Sequence, residues 1–128
     1  MADPVDDGAD PVAAALRLQL EAAAEGFDWS DAEGLWQKLD EETGELKAAA
    51  TPAHRFEEFG DLLFMMINLA RHLGIEPLAA LQAANAKFAY RWRYILSHRA
   101  DLPAAGPQRL EAMERLWTEA KRRASPAE

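Results

Sequence analysis

From Pro11 onward the apolar residues of this chain recur at the three- and four-residue spacing of one helix face, with no convincing strand alternation. That pattern points to an all-α fold, and glycine and proline punctuate it. Pro11 suits a first helical turn and Gly26 a C-terminal stop, so a first helix is expected from Pro11 to about Glu25. The turn "GFDW" follows. Ser30, with Glu33 three residues on, makes a capping box for a second helix running to about Ala50. Thr51-Pro52 supplies an N-cap and a first-turn proline for a third helix that ends near Gly74. Glu76-Pro77 restarts the chain as a fourth helix to about His98. After the loop "RADLPAAGP", Pro107 opens a fifth, ending near Arg123. Short connections between such helices indicate a helical bundle of four to five helices. A single helical domain is expected over residues 11–123, between a disordered acidic N-terminus (1–10) and a disordered tail (124–128).

Charge narrows the partners. The formal net charge is −8, which argues against non-specific binding to nucleic acid or to an anionic membrane. A polyanionic small molecule would need a cation to mediate its binding. The chain has no cysteine, which removes disulfides and thiolate metal sites. The start "MADPVDDGAD" lacks the basic region of a signal peptide. The apolar run Leu62–Ala70 is far short of the roughly 20 residues of a membrane span. The expectation is a cytoplasmic protein with no nucleic-acid or membrane partner.

The acids are the anomaly. In "KLDEETGELKAAATPAHRFEEFGDLLFMMINLA", Glu42 and Glu45 stand three residues apart on the second helix, and Glu58 and Asp61 likewise on the third. At about 100° per residue, the apolar stripe of the second helix passes through Leu35, Leu39 and Leu46. Glu42 falls within about 30° of its centre, with Glu45 and Lys38 along its edge. On the third helix Leu62, Leu63, Phe64, Met66, Ile67, Leu69, Ala70 and Leu73 cover more than half the circumference. Glu58, Asp61, Met65, Asn68 and His72 share the rest. Joined by a tight Thr-Pro turn, the two helices are antiparallel neighbours whose acid pairs can meet. Two carboxylates about 4 Å apart repel by roughly 4 kcal/mol at an effective dielectric near 20. Protonation, a lysine or a divalent ion relieves this. An all-oxygen set suits magnesium or manganese better than zinc, and the Glu-x-x-His of di-iron bundles is absent. A solvated helix face is the plainer explanation of either pair alone, and Asp40 and Glu57 read as surface acids.

The fourth helix presents Leu78, Leu81, Asn85, Phe88 and Trp92 on what should be its inner face, with Asn85 buried and hydrogen-bonded. Lys87 and Arg91 lie one turn apart near Tyr90 and Tyr94, and Trp117 and Lys121 repeat the arrangement on the fifth helix. Basic residues beside aromatics suit phosphate binding, although solvated pairs are the commoner outcome.

Taken together, "KLDEETGEL" and "FEEFGDLLFMMINLARHLGIEPLAALQAANAKFAYRW" resemble the MazG family of nucleoside triphosphate pyrophosphohydrolases, over about residues 26–121. The family signature, Glu-Glu-x-x-Glu, a spacer and Glu-x-x-Asp, is matched by Glu41, Glu42, Glu45, Glu58 and Asp61; "GFDW", "GDLLF" and "NLAR" are similar too. The resemblance implies a MazG-like bundle whose core is completed by dimerisation, as a homodimer or dimer of dimers. It implies magnesium, with manganese as a substitute, held by Glu42, Glu45, Glu58 and Asp61. Lys87 and Arg91 match basic residues that assist the triphosphate, and Trp117 and Lys121 match a C-terminal Trp-x-x-x-Lys of the same role. Lys38, one turn before the motif, is placed to reach phosphate. Many family members carry two such domains in tandem, whereas this chain has one.

The expected activity is hydrolysis of a (deoxy)nucleoside triphosphate to monophosphate and pyrophosphate, in nucleotide-pool house-cleaning. Glu41 is the candidate base or water-orienting group, Lys87, Arg91 and Lys121 the stabilisers of phosphate charge, and Asn85 a further substrate contact. The alternatives are a dUTPase-like or other base-specific pyrophosphohydrolase and a non-catalytic metal-binding interaction module. Phe27, Trp29, His54, Asn85 and Trp92 are unranked candidates for a base pocket.

Overall fold

A computed structural model describes residues 10–123. Its elements are α1 (Pro11–Ala24), α2 (Ala32–Ala48), α3 (Pro52–His72), α4 (Pro77–Ser97), a short 3-10 turn (Arg99–Asp101) and α5 (Pro107–Arg122). The described residues form no strand, so the fold is all-α. The described residues divide into two compact units, residues 10–78 and 79–123. Apart from Asp10, the two segments expected to be disordered tails lie outside the described residues. Asp10 itself is ordered: its carboxylate accepts from Val12 N–H at 2.7 Å and caps α1.

The helix boundaries follow the local chemistry. Gly26 and Gly74 both adopt positive φ, which lets the chain reverse after α1 and after α3. The next amide then donates back to a carbonyl five residues upstream, Phe27 to Ala22 and Ile75 to Ala70. Thr51 caps α3 as expected, its hydroxyl accepting from His54 N–H. The cap of α2 falls one residue later than the expected Ser30. Asp31 accepts from Gly34 N–H at 3.2 Å, because its carboxylate reaches the third helical amide while Glu33 lies inside the first turn. The helix ends at Ala48 rather than Ala50, since the chain must become extended before Thr51-Pro52.

In the first unit α3 packs against α2 and against α1. The hydrocarbon seam between α2 and α3 consists of Leu35, Leu39, Met65 and Leu69, with Ala32 and Leu62 against them. Its spacing continues on α2 to Glu42, which is only 6% exposed, and on α3 to Glu58, which is half-buried. The seam therefore changes from hydrocarbon to carboxylate toward the closed end of the hairpin, as the stripe through Glu42 requires.

The broad apolar surface of α3 behaves otherwise. Met65 and Asn68, expected on the polar side, are buried with Ile67 and Leu69, whereas Leu63, Phe64, Met66 and Leu73 are exposed. Two neighbouring helices cover only part of a helix circumference, and they cover the sector that continues the acid pair. Across α1 and α3, the Gln19 amide donates to the Phe64 carbonyl at 2.9 Å.

A polar clasp ties the α1–α2 turn to the end of α3. Arg71 donates to both oxygens of Asp28, at 2.9 and 2.6 Å, and to Asn68 Oδ1 at 2.9 Å. His72 Nε2 lies 3.0 Å from Asp28. The "GFDW" and "NLAR" segments are thus partners in space.

In the second unit α4 and α5 meet through side chains. The Phe88 and Trp117 rings lie 5.2 Å apart, and Tyr94 Oη donates to Glu119 at 3.0 Å. Asn85 is exposed rather than buried, as are Leu81, Phe88 and Trp92. The buried residues of α4 are Arg91 and Ile95. The stripe read as its inner face is therefore not the one this chain covers.

Two outcomes follow. Leu35→Ala, at a fully enclosed seam position, lowers the unfolding free energy by about 2–5 kcal/mol in urea titrations. Arg71 and His72 hold the Asp28 carboxyl well below the usual range, so the folded state favours its ionised form more than the unfolded chain does. That contribution is full above the ordinary aspartate value of 3.8 and fades as pH falls through the lowered folded value. Asp28→Asn therefore destabilises by on the order of 1 kcal/mol at pH 7, and melts against pH show the gap to wild type closing below about pH 4.

Candidate functional site

The acid cluster sits where the α2–α3 seam turns polar. Glu42, Glu58 and Asp61 each offer a carboxylate oxygen, and the three atoms lie within 4.8 Å of one another. Helical spacing does this. Glu42 follows Leu35 and Leu39 on the packed stripe of α2, while Glu58 precedes Leu62 and Met65 on that of α3. Asp61 adjoins from the exposed edge.

Hydrogen bonding leaves the cluster short of donors. Glu42 Oε1 accepts from Lys38 Nζ at 3.1 Å, one turn earlier. Its Oε2 is buried with no hydrogen-bond partner among the described residues, and so is Glu58 Oε2. Glu58 Oε1 lies 3.2 Å from His54 Nε2, again one turn earlier. A buried carboxylate oxygen without a donor is costly. Burial, then the adjacent Glu45 carboxyl, push the Glu58 carboxyl above its ordinary value, against the opposing contact with His54.

Of the four carboxylates expected to bind metal, three are thus brought together. Glu45 is exposed and outside that trio, yet close enough to Glu58 to raise its proton affinity. Glu41 is exposed and pairs with Lys38 at 3.5 Å. Lys38 therefore bridges Glu41 and Glu42, and Glu42 beside it holds the ammonium more firmly protonated. His54 is the neighbour that sequence reasoning placed among base-pocket candidates. Its four-residue spacing to Glu58 was the available signal.

This donor set fits a hard divalent ion. Its ligands are all oxygen, two buried oxygens lack donors, and the like charges need compensation. Glu42, Glu58 and Asp61 are the residues that would hold it.

The cationic candidates lie in the second unit. Arg91 is buried, its guanidinium 5.1 Å from the centre of the Trp117 ring, a cation–π arrangement. Lys87 and Lys121 are exposed, and Trp117 is half-buried between Phe88 and Arg91.

An all-α chain with a carboxylate cluster at the closed end of a helical hairpin defines a class, and comparison with known proteins gives it relatives. No family model matches the sequence. Over 79 residues the chain is 48% identical to the nucleoside triphosphate pyrophosphohydrolase/pyrophosphatase MazG of Thermotoga maritima, an alignment covering 62% of this chain and 31% of that protein. It is 39% identical over 115 residues to the nucleoside triphosphate pyrophosphohydrolase of Escherichia coli K12, covering 84% of this chain and 43% of that protein. A Bacillus subtilis protein, the uncharacterized YabN, is 43% identical over 65 residues, half of this chain and 13% of YabN. Over most of its length the chain is thus similar to proteins named as nucleoside triphosphate pyrophosphohydrolases. It spans less than half the length of these curated relatives.

The electrostatics generate a test. The folded state holds a proton on Glu58 more tightly than the unfolded chain does, so ionisation above the ordinary carboxylate pKa works against folding. In metal-free protein, Glu58→Gln raises the melting temperature at pH 7–8, and the gain disappears near pH 4, where Glu58 is protonated in both states. Calorimetric melts across that pH range measure it.

Proposed function

We propose that this protein hydrolyses nucleoside triphosphates to the monophosphate and pyrophosphate, with magnesium in the acid cluster. The observation that carries the reading is the meeting of Glu42, Glu58 and Asp61 within 4.8 Å, in a chain 39–48% identical to proteins named as such hydrolases. No helix among the described residues is long and apolar enough to cross a membrane.

Bound in the cluster, magnesium supplies charge neutralisation on phosphate oxygens and acidifies a coordinated water. The residues divide the remaining work. Glu42, Glu58 and Asp61 hold the ion, with Glu45 as a fourth ligand. Lys38, already paired with Glu42, orients that carboxylate and offers a positive charge to phosphate. Glu41, whose carboxylate is exposed, takes the role of base or water-orienting group. The family resemblance assigns stabilisation of phosphate charge to Lys87, Arg91 and Lys121, with Trp117 and Asn85 as substrate contacts. Nucleotide-pool house-cleaning in the cytoplasm is the role that suits such an activity.

Self-association belongs to the same reading. Trp36, Phe59, Leu63 and Met66 leave an exposed apolar strip on α2 and α3, which a second copy would cover as a homodimer or as part of a dimer of dimers.

Incubation of the purified protein with magnesium and a panel of nucleoside triphosphates is expected to release pyrophosphate, and Glu42→Gln to lower kcat/KM by about a hundredfold or more. Absence of pyrophosphate from every nucleotide would sink the hydrolase reading. Calorimetric binding of magnesium without nucleotide would then favour an interaction module.

A further inference from the structure

The acid cluster holds two of its carboxylates in the same way. Glu42 on α2 has Oε1 engaged by Lys38 Nζ at 3.1 Å, and its Oε2 is buried without a hydrogen-bond partner among the described residues. Glu58 on α3 has Oε1 against His54 Nε2 at 3.2 Å, and its Oε2 is likewise buried and unpartnered. In each case the engaging residue stands four positions earlier on the same helix. Side chains on an α-helix lean toward its N-terminus, so a glutamate reaches such a neighbour without leaving its own face. Two facing helices thus repeat one device: a donor on the first oxygen and an enclosed, vacant second.

Local chemistry fixes where His54 stands. Pro52 opens α3, and Thr51 Oγ1 accepts from the His54 amide at 3.1 Å. The next residue, Arg55, donates through Nε to the Ala49 carbonyl at 3.2 Å. These bonds pin the first turn of α3, and with it the point from which the imidazole reaches Glu58. The His54 side chain is 52% exposed and that of Glu58 only 12%, so the ring lies at the surface and the carboxylate is mostly enclosed. Of the residues considered for a base pocket from sequence, Phe27 and Trp29 line a cavity of about 490 Å³ between α1, the α1–α2 turn and α3, with Gln19 in its wall. His54 is not in that lining and meets the acid cluster instead.

The chemistry of the contact follows from its partners. An ionised glutamate offers only acceptors, so the Nε2 that meets Glu58 carries a hydrogen. The neutral ring in that tautomer and the imidazolium both donate, and the contact requires no change of charge. A carboxylate that binds a metal through one oxygen is typically oriented by a hydrogen bond on the other, and such outer partners carry a good part of the affinity. With Oε1 committed to His54, Oε2 is the oxygen left for a cation.

We propose that His54 is a positioning residue of the metal site: it holds Glu58 Oε1 so that Oε2 is presented to a divalent ion, the part that Lys38 plays for Glu42. The inference rests on the reading of the acid cluster as a metal site, and it adds a residue to that site. Lys38 brings a positive charge that phosphate can also use. His54 brings a donor at the surface end of the cluster, and its contribution is to ion binding before any nucleotide arrives.

The test is calorimetric titration of Mn2+ into nucleotide-free protein, for wild type, His54→Leu, His54→Ala and His54→Gln. The Leu and Ala variants are expected to bind Mn2+ about tenfold more weakly than wild type. His54→Gln keeps an N–H donor and is expected to recover most of that loss. Position 54 is exposed, so the variants are expected to fold, and melts of the metal-free proteins check it. A folded Leu or Ala variant that binds Mn2+ as tightly as wild type overturns the role. So does a Gln variant as weak as the Leu variant, because the donor is then not what matters. Imidazole nitrogen coupling in pulsed EPR of the Mn2+-loaded wild type also overturns it, by making His54 a direct ligand. Wild-type protein that binds no Mn2+ overturns the metal reading of the cluster and this role together. The expected affinities without pyrophosphate release from any triphosphate leave the role standing and overturn the hydrolase reading alone.

Discussion

One buried carboxylate governs the first unit of this protein. Glu42 lies on the packed stripe of α2 where a leucine would continue the hydrocarbon seam. A leucine there would extend the seam of Leu35 and Leu39 by one more turn. The glutamate instead ends that seam at Met65 and Leu62 and begins a polar one. Lys38 satisfies one of its oxygens and leaves the other without a donor. The carboxylates that α3 contributes, Glu58 and Asp61, add negative charge to the same place. Such an arrangement works against its own folding unless a cation joins it. The Leu35–Leu39–Met65–Leu69 packing supplies the stability against which that unfavourable charge is held.

The surroundings divide labour around this seam. On one side of α3 the Asp28–Arg71–His72 clasp and the Gln19–Phe64 bond attach α1 and its following turn. On another, Phe59, Leu63 and Met66 remain exposed beside Trp36. A central helix that is apolar on so many sides has more surface than two neighbours can cover, and this unevenness leaves both a cavity and an exposed apolar face.

Much of this was legible in the sequence, and the failures share a cause. Helix starts and stops were readable because proline, glycine and capping side chains act within a few residues. The burial of Glu42 was readable because its angular position on α2 is set by the helix alone. The buried sector of α3 was not. Met65 and Asn68 win over Leu63 and Phe64 because of where α1 and α2 lie, and no count of apolar residues on α3 contains that. Asn85 failed similarly, since an apolar stripe on α4 says what could be covered and not what is. The Asp28–Arg71 pair joins residues 43 apart. Both flanking segments stood out as family-like, yet nothing local to either indicated that they meet.

The short Ala49–Thr51 connection has a consequence for the order in which the molecule assembles. Contacts across the α2–α3 hairpin span few residues near its closed end, so their loop-closure cost is small. The Gln19–Phe64 contact spans 45 residues and waits for α1 to arrive. A chain emerging into its fold would therefore gather Glu42, Glu58 and Asp61 early and finish the Gln19 and Trp29 walls late. In such a sequence of events the repulsion among the three carboxylates is felt before α1 is in place.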